Sequence, residues 1–392
     1  MIFLQAASPE GALRRMLTAA LGDGASDIHI EPMRSFVRIR FRKDGLLYEY
    51  GRLPLSMMKG MAVRAKVLGM MDIGESRLPQ DGSHRFSEDG LSCDLRLSTL
   101  PSLYGETIVI RLLSDQLAYI EKNTLGMLPS QKKIFETCLS SGSGMILTTG
   151  PTGSGKTSTL YAALRRVDRE TRNVISIEDP VEYRLDGVTQ IQVNEKAGLT
   201  FASGLRSMVR QDPDIIMVGE IRDRETAEMA VHAALTGHLV LSSLHTNSAS
   251  EAPLRLSDMG IPPYLLAASM TLVISQRLVG RICPDCKKEI TLSAKEAADL
   301  SLPAQMSSRP LYTGSGCDSC HHTGLSGRTG IFEMLRIGKD ERHAIHDNAS
   351  PDELSALMKA QGQPSLASGA LRLLEAGIIS PREAALIMEE QK

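Results

Sequence analysis

No stretch of this 392-residue chain approaches 18 consecutive apolar residues, so the sequence offers no membrane-spanning helix. The opening Met1-Ile2-Phe3-Leu4-Gln5 is apolar but lacks a basic flank and a long hydrophobic core, and no signal peptide is expected. Neither sign of charge dominates. Lys and Arg number 44 against 46 Asp and Glu, a net charge of −2, and that removes the overall basicity expected of a nucleic-acid binder. Disulfides are equally unexpected, because four of the six cysteines stand in two C-x-x-C pairs, which suit a metal in a reducing compartment. Solenoid-length repeats and low-complexity tracts are missing too. Tryptophan is absent, which excludes nothing. The remaining composition, 42% hydrophobic and 23% charged, is that of a globular chain long enough for two or three domains.

What is present is most pointed at Ile146-Leu147-Thr148-Thr149-Gly150-Pro151-Thr152-Gly153-Ser154-Gly155-Lys156-Thr157-Ser158. Apolar residues run into Gly150, and the loop fills every position of G-x-x-x-x-G-K-[ST]. The Ala/Leu-rich stretch that follows has helical character. Gly153 and Gly155 let the backbone curl so that its N–H groups form an anion nest, and the helix adds its positive end. Lys156 is expected at the β- and γ-phosphates, and Thr157 at Mg²⁺. Residues 150–158 are therefore the expected nucleotide-binding loop.

Around it the chain organises into two parts. Residues 10–21 carry Leu13, Met16, Leu17 and Leu21 at helical spacing. Residues 26–32 and 37–42 alternate as strands, with Lys43-Asp44-Gly45 turning into the next. Arg38, Arg40 and Arg42 share one face, either a phosphate-binding ridge or the solvated outer face usual for half-buried strands. A helix is expected over 57–71, hairpin turns at Asp81-Gly82 and Asp89-Gly90, and strands over 95–99 and 107–112. Residues 1–115 thus read as a small α+β domain, followed by a poorly periodic linker over 114–129, taken as 116–128. Beyond it strands at 145–149, 174–178, 215–219 and 239–244 alternate with helices near 201–210 and 224–235. That order implies a mostly parallel sheet covered on both faces, with ligands at the C-terminal strand ends. Ser350-Pro351-Asp352-Glu353 and Ser380-Pro381-Arg382-Glu383 each read as a capped helix start.

Carboxylates gather at the expected strand exits. Asp214-Ile215-Ile216-Met217-Val218-Gly219 delivers Glu220, suited to the metal side of the site. Val174-Ile175-Ser176-Ile177 ends in Glu178-Asp179-Pro180-Val181-Glu182, a solvated turn in isolation but a metal and water site beside a complete phosphate loop. His238 and His245 bracket a strand, and their separation of seven puts them on opposite faces. Only one of them can face the nucleotide unless a bend intervenes.

Together these four segments, with Ala25-Ser26-Asp27-Ile28-His29-Ile30-Glu31-Pro32, resemble the signatures of the secretion-ATPase superfamily, and within it the type II secretion and type IV pilus assembly ATPases. The resemblance runs from about residue 24 to the C-terminal helices. It implies a PAS-like N-terminal domain joined flexibly to a RecA-like ATPase domain over 129–392, assembled as a homohexamer. It further implies Glu182 as the base that orients water, supported by Glu178 and Asp179, and Glu220 holding Mg²⁺ through water. His238 and His245 would sense the γ-phosphate region. Arg96 and Arg111, surface charges by sequence alone, match family arginines that reach the nucleotide. Many relatives carry a further N-terminal module, of which the residues before this motif leave little.

Cys283-Pro284-Asp285-Cys286 and Cys317-Asp318-Ser319-Cys320 offer four thiolates to a tetrahedral, structural Zn²⁺ within a subdomain over 281–330. A redox dithiol is the alternative; His321 and His322 are substitute candidates as zinc ligands. An intervening hairpin or helix pair would absorb the long gap between the knuckles. This insert resembles the assembly branch of the family. Cys93 and Cys138 read as buried small residues. The expected function is a cytoplasmic ATP-hydrolysing motor, peripheral at the inner membrane through partners, that drives a platform protein to build a type IV pilus or type II secretion pseudopilus. The alternative is a nucleic-acid motor, including DNA-uptake or conjugation ATPases, against which the near-neutral charge counts.

Overall fold

The computed structural model describes residues 8–88, 91–113 and 125–390. The opening Met1-Ile2-Phe3-Leu4-Gln5, the Asp89-Gly90 turn and most of the expected linker lie outside them. The chain divides into two compact units, Met1–Ala118 and Tyr119–Lys392.

In the first unit, α1 (Pro9–Asp23) starts where Ser8 Oγ accepts from Gly11 N and stops at Gly24, in the left-handed region with φ 73°. The strands β1 (Asp27–Pro32), β2 (Phe36–Lys43) and β3 (Leu46–Pro54) precede α2 (Met58–Leu68). Then come β4 (Gln80–Glu88), β5 (Leu91–Ser102) and β6 (Gly105–Leu113). They form one antiparallel sheet in the order β3-β2-β1-β6-β5-β4. Asp44 and Gly45, at φ 51° and 89°, make the two-residue turn between β2 and β3. Alternation sends Ile28, Ile30, Ile39, Phe41, Leu97 and Ile110 into a core with Leu13 and Met16 of α1 and Met61 of α2.

On the opposite face, Arg38 and Arg40 both donate to Glu31, while Arg42 donates to Gly45 O and lies 3.9 Å from Asp27. These arginines are committed to neighbouring acceptors, which makes their face a salt-bridged outer surface and not a phosphate ridge.

Asp81-Gly82 is not a turn. Both residues lie inside β4, and a Cβ on Gly82 would stand 2.2 Å from Gly69 O at the end of α2. The glycine serves a close approach of helix to strand, a requirement that sequence cannot separate from a turn.

The second unit opens with α3 (Pro129–Leu139), β7 (Gly144–Thr149), α4 (Lys156–Arg166), β8 (Val174–Glu178), β9 (Thr189–Gln192) and α5 (Phe201–Met208). There follow β10 (Ile215–Val218), α6 (Arg224–Leu235), β11 (Leu239–Leu244), α7 (Glu251–Asp258), α8 (Pro263–Ser269) and β12 (Met270–Ile282). The sheet runs β15-β12-β7-β11-β10-β8-β9, parallel except for β15 (Leu325–Arg336) against β12. Every residue of β7, β10 and β11 is buried, so both faces are covered.

A small two-stranded sheet, β13 (Lys287–Ile290) and β14 (Leu311–Gly314), encloses α9 (Ala294–Asp299). The chain ends in α10 (Lys339–His346), α11 (Pro351–Ala360), α12 (Leu366–Glu375) and α13 (Pro381–Glu389). Ser350 and Ser380 cap α11 and α13. Glu353 completes the capping box of α11, but Glu383 accepts instead from Gly280 N of β12 at 2.5 Å, and burial raises its pKa. The second box therefore docks its helix on the sheet.

Gly82→Ala should lower stability by about 1–3 kcal/mol through overpacking against α2, read as a lower urea midpoint at unchanged slope. An unchanged midpoint would rule out the close approach as the reason for the glycine.

Candidate active site and metal centre

β7 is buried along its whole length and delivers Gly150 at its C-terminal end. Gly150, Gly153 and Gly155 take φ of 138°, 80° and 91°, which side-chain-bearing residues resist. α4 then starts at Lys156, so its N–H groups face the loop. Lys156 Nζ arches over the loop to donate to Gly150 O at 2.7 Å and Pro151 O at 3.1 Å. Burial lowers its pKa, and nearby Glu220 opposes that shift. The hydroxyls of Thr149 and Ser154 are buried at this loop without a protein partner, as donors reserved for an anion would be. Half-buried Thr157 and Ser158 open the helix behind them.

Glu220 leaves the end of β10 with its carboxylate largely buried. It faces Arg222 at 2.5 Å and His245 Nε2 at 3.5 Å. A cavity of about 450 Å³ opens beside Gly150 and Pro151, lined also by His245, Asn247, Glu251 and Arg255. The structure thus brings together the loop, Lys156, Glu220 and His245. The oxygen donors at this site, the Glu220 carboxylate close enough to act on Lys156 and the Thr157 hydroxyl at the helix start, are of the type that a hard divalent cation such as Mg²⁺ takes.

The acidic segment divides its labour. Glu178 is buried, accepts from Tyr161 Oη at 2.5 Å, Ser176 Oγ at 2.7 Å and Gln190 Nε2 at 3.2 Å, and has its pKa raised by burial. A carboxylate so enclosed anchors structure; it does not meet water. Tyr161 belongs to α4, and its Oη also accepts from Tyr183 N at 3.2 Å, so the exit loop of β8 is tied to the helix of the nucleotide loop. Within that loop Asp179 is exposed, and Glu182 is half-exposed with its carboxylate hydrogen-bonded to no described residue.

His238 lies away from this cluster. It precedes β11, and six residues of strand put it about 20 Å from the C-terminal strand ends. Its Nδ1 lies 2.9 Å from Ala233 O, at the C-terminus of α6. The two histidines therefore lie beyond opposite ends of the strand. Arg96 and Arg111 are in the first unit, directly opposed on β5 and β6, with Arg111 Nε donating to Asp27 at 3.1 Å.

Sequence reasoning missed Tyr161, Gln276 and Arg277. Gln276 on β12 donates to Ser154 O at 2.8 Å and accepts from Thr159 Oγ1 at 2.8 Å, which staples the loop and α4 to the sheet. The available signal was a Gln-Arg pair inside the otherwise apolar run of β12.

The four expected cysteines converge. Cys283 and Cys317 Sγ lie 3.9 Å apart, Cys286 and Cys320 3.8 Å, Cys317 and Cys320 3.7 Å. A tetrahedron with metal–sulfur bonds of about 2.3 Å has edges near 3.8 Å, so the donor set fits Zn²⁺. Against the effect of burial, the N–H groups of Cys317 and Gly324 help bring the Cys320 thiol down to about 6. His322, exposed, turns to Asp318, and neither it nor His321 joins the cluster. The gap between knuckles is absorbed by both a hairpin and a helix, β13–α9–β14. Cys93 and Cys138 are buried and unpaired.

A family model described as type II/IV secretion system protein matches residues 5–386. Type II secretion system protein E of Dickeya dadantii is 44% identical over 380 residues, 97% of this chain and 75% of that protein. The type IV pilus assembly ATPase PilB of Thermus thermophilus is 44% identical over 372 residues, 95% of this chain and 42% of that protein. Among solved structures, the pilus retraction motor PilT with bound ADP superposes at TM-score 0.64 with 26% identity, covering 95% of this chain and 96% of that one. The Legionella pneumophila ATPase DotB shares the fold at TM-score 0.71 and 23% identity, covering 99% and 98%.

The metal centre yields a direct test. Protein purified under reducing conditions should carry about one zinc per chain, lost when Cys283 and Cys317 are both changed to Ser. Elemental analysis finding no zinc in the parent would overturn the assignment.

Proposed function

The chain belongs to the type II/IV secretion system protein family, and from that membership we propose that it is an ATP-hydrolysing motor powering assembly of a type II secretion pseudopilus or a type IV pilus. The observation that carries the reading is the meeting of a complete phosphate loop with Lys156, Glu220 and His245 at the C-terminal ends of a parallel sheet.

In this reading residues 1–115 are the PAS-like domain, 116–128 the linker and 129–392 the RecA-like motor. Residues 150–158 hold the nucleotide phosphates, with Lys156 released from its carbonyls to meet them. Thr157 and, through water, Glu220 hold Mg²⁺, which neutralises charge developing on the phosphates. Glu182 orients the attacking water; its support is a half-exposed carboxylate on a loop fixed to α4 through Tyr161. Glu178 acts by holding that loop. His245 steadies Glu220. His238 is assigned by resemblance alone, as are Arg96 and Arg111, which would meet the phosphates as domains move during turnover. The two arginines stand in direct cross-strand register, and Arg111 would exchange Asp27 for the phosphates.

The working form is a homohexamer at the cytoplasmic face of the inner membrane, turning a membrane platform protein. Attachment is through that partner; no helix among the described residues is long and apolar enough to cross a membrane. Zinc serves structure. A nucleic-acid motor is the disfavoured alternative, recognisable by DNA-stimulated turnover that falls steeply with salt.

Lys156→Ala should abolish ATP turnover and filament-dependent secretion or piliation while leaving the thermal melt intact; secretion persisting in that variant would sink the motor reading. Glu182→Gln should lower kcat by about 10²-fold or more with nucleotide affinity retained. Parental turnover in Glu182→Gln would move the water-orienting role to Glu220.

A further inference from the structure

Arg277 is the buried charge that the mechanism above leaves unused. It follows Gln276 on β12, and its side chain is only 5% exposed. Each nitrogen of its guanidinium donates in a different direction. Nε donates to Glu390 at 2.5 Å, Nη1 to Gln276 O at 3.1 Å, and Nη2 to Asn247 O at 3.1 Å. Two of the acceptors lie on other segments, Asn247 after β11 and Glu390 at the end of α13, and the third is the preceding carbonyl of β12 itself. Gln276 O is the carbonyl against which the nucleotide loop packs, since a Cβ on Gly150 would lie 2.6 Å from it. Asn247 lines the cavity beside Gly150. Glu390 closes the last helix, α13.

We infer that Arg277 is a positioning residue for the nucleotide loop, and that Glu390, through it, lets the docking of the C-terminal helix set the loop's geometry. The chain of contacts is short. Glu390 orients the guanidinium, the guanidinium fixes the Gln276 carbonyl, and that carbonyl bounds Gly150. The Gln276 side chain meanwhile holds Ser154 O and Thr159 Oγ1. Only a planar fork reaches three acceptors in three directions; a lysine at this position keeps the charge and loses the geometry. Arg277 also lies near enough to Lys156 to act on its charge, which places it at the edge of the phosphate site. A second carboxylate of the same helix, Glu383, is bound to Gly280 N on the same strand, so α13 grips β12 at two points. The C-terminal helix thus becomes part of the nucleotide site without touching it.

This inference rests on the proposed nucleotide-loop reading, and the test separates the two. Binding of an N-methylanthraniloyl-ADP probe and steady-state ATP turnover are measured for the full chain, Arg277→Lys and Glu390→Ala. Arg277→Lys should weaken probe affinity and raise KM for ATP by about tenfold, with kcat per folded protein within about twofold, the loss of one or two charged hydrogen bonds. Glu390→Ala should move both constants in the same direction by a smaller factor. A merely structural role would instead lower the folded, active fraction and leave KM unchanged. Parental KM and probe affinity in a folded Arg277→Lys overturn the inference. Where Arg277→Lys fails to fold, parental values in the exposed-site variant Glu390→Ala do the same. Failure of the parent itself to bind the probe would sink the nucleotide-loop reading instead.

Discussion

At Gly150 the nucleotide loop has no room for a side chain. The Gln276 carbonyl and the Ser154 hydroxyl would lie 2.6 and 2.7 Å from a Cβ there, and the backbone adopts φ 138°. An anion nest needs its N–H groups turned inward, and that requires both glycine's freedom and a wall that stops the freedom from being spent elsewhere. β12 is the wall. It lies parallel to β7 with Ser275 in register with Thr149, so Gln276 meets the loop where it leaves the sheet. Its amide then closes the far side of the loop through Ser154 and Thr159. Every other feature of the site presupposes this fixed curl, because Lys156 and the start of α4 are aimed by it.

The charges around the loop are arranged by degree of enclosure. Glu178 is sealed by three donors and Arg277 by three acceptors, and each buried charge holds a backbone segment in place. Burying such groups is tolerable only when all their hydrogen-bonding capacity is used. Lys156 and Glu220 are less enclosed and have partners that can be exchanged: loop carbonyls for the lysine, Arg222 and His245 for Glu220. The division follows from desolvation. A group that must change partners during turnover cannot be locked into a dry network, whereas a group that sets geometry gains from one.

Much of this was legible in the sequence. Two-residue alternation placed β1 and β2, the motif spacing placed the loop at residues 150–157, and the apolar runs into Glu178 and Glu220 placed the acids at strand exits. The failures share one cause, that a residue's chemistry suits two roles and only tertiary neighbours choose between them. Gly82 served close packing instead of a turn, and Glu383 reached across to Gly280 instead of back to its own helix start. Glu178 belonged to the acidic cluster by spacing, yet Tyr161 and Gln190 took it out of solvent. Gln276 and Arg277 were the least readable, since their partners Thr159 and Glu390 are 117 and 113 residues distant. A polar pair in a buried strand announces that partners exist without naming them.

The zinc knuckles belong to the same mechanical unit. Cys283 directly follows β12, whose Ile282 N donates to Ile378 O, while Lys287 Nζ reaches Gly377 O, both between α12 and α13. Val279 of β12, Ala297 of α9, Leu311 of β14, Leu374 of α12 and Ile387 of α13 share one core. The knuckle subdomain is therefore not an independent module clipped to the sheet. Its four-cysteine cluster sits at the end of the strand whose middle walls the nucleotide loop, and the C-terminal helices pack against both. Seven residues separate Gln276 from Cys283, about 23 Å of extended chain. Over that length β12 is paired with β15 alone, since its pairing with β7 ends at Ser275, and a paired strand still transmits position better than a loop does. With the cysteine cluster at its end and the glycine loop against its middle, β12 is the common reference for both.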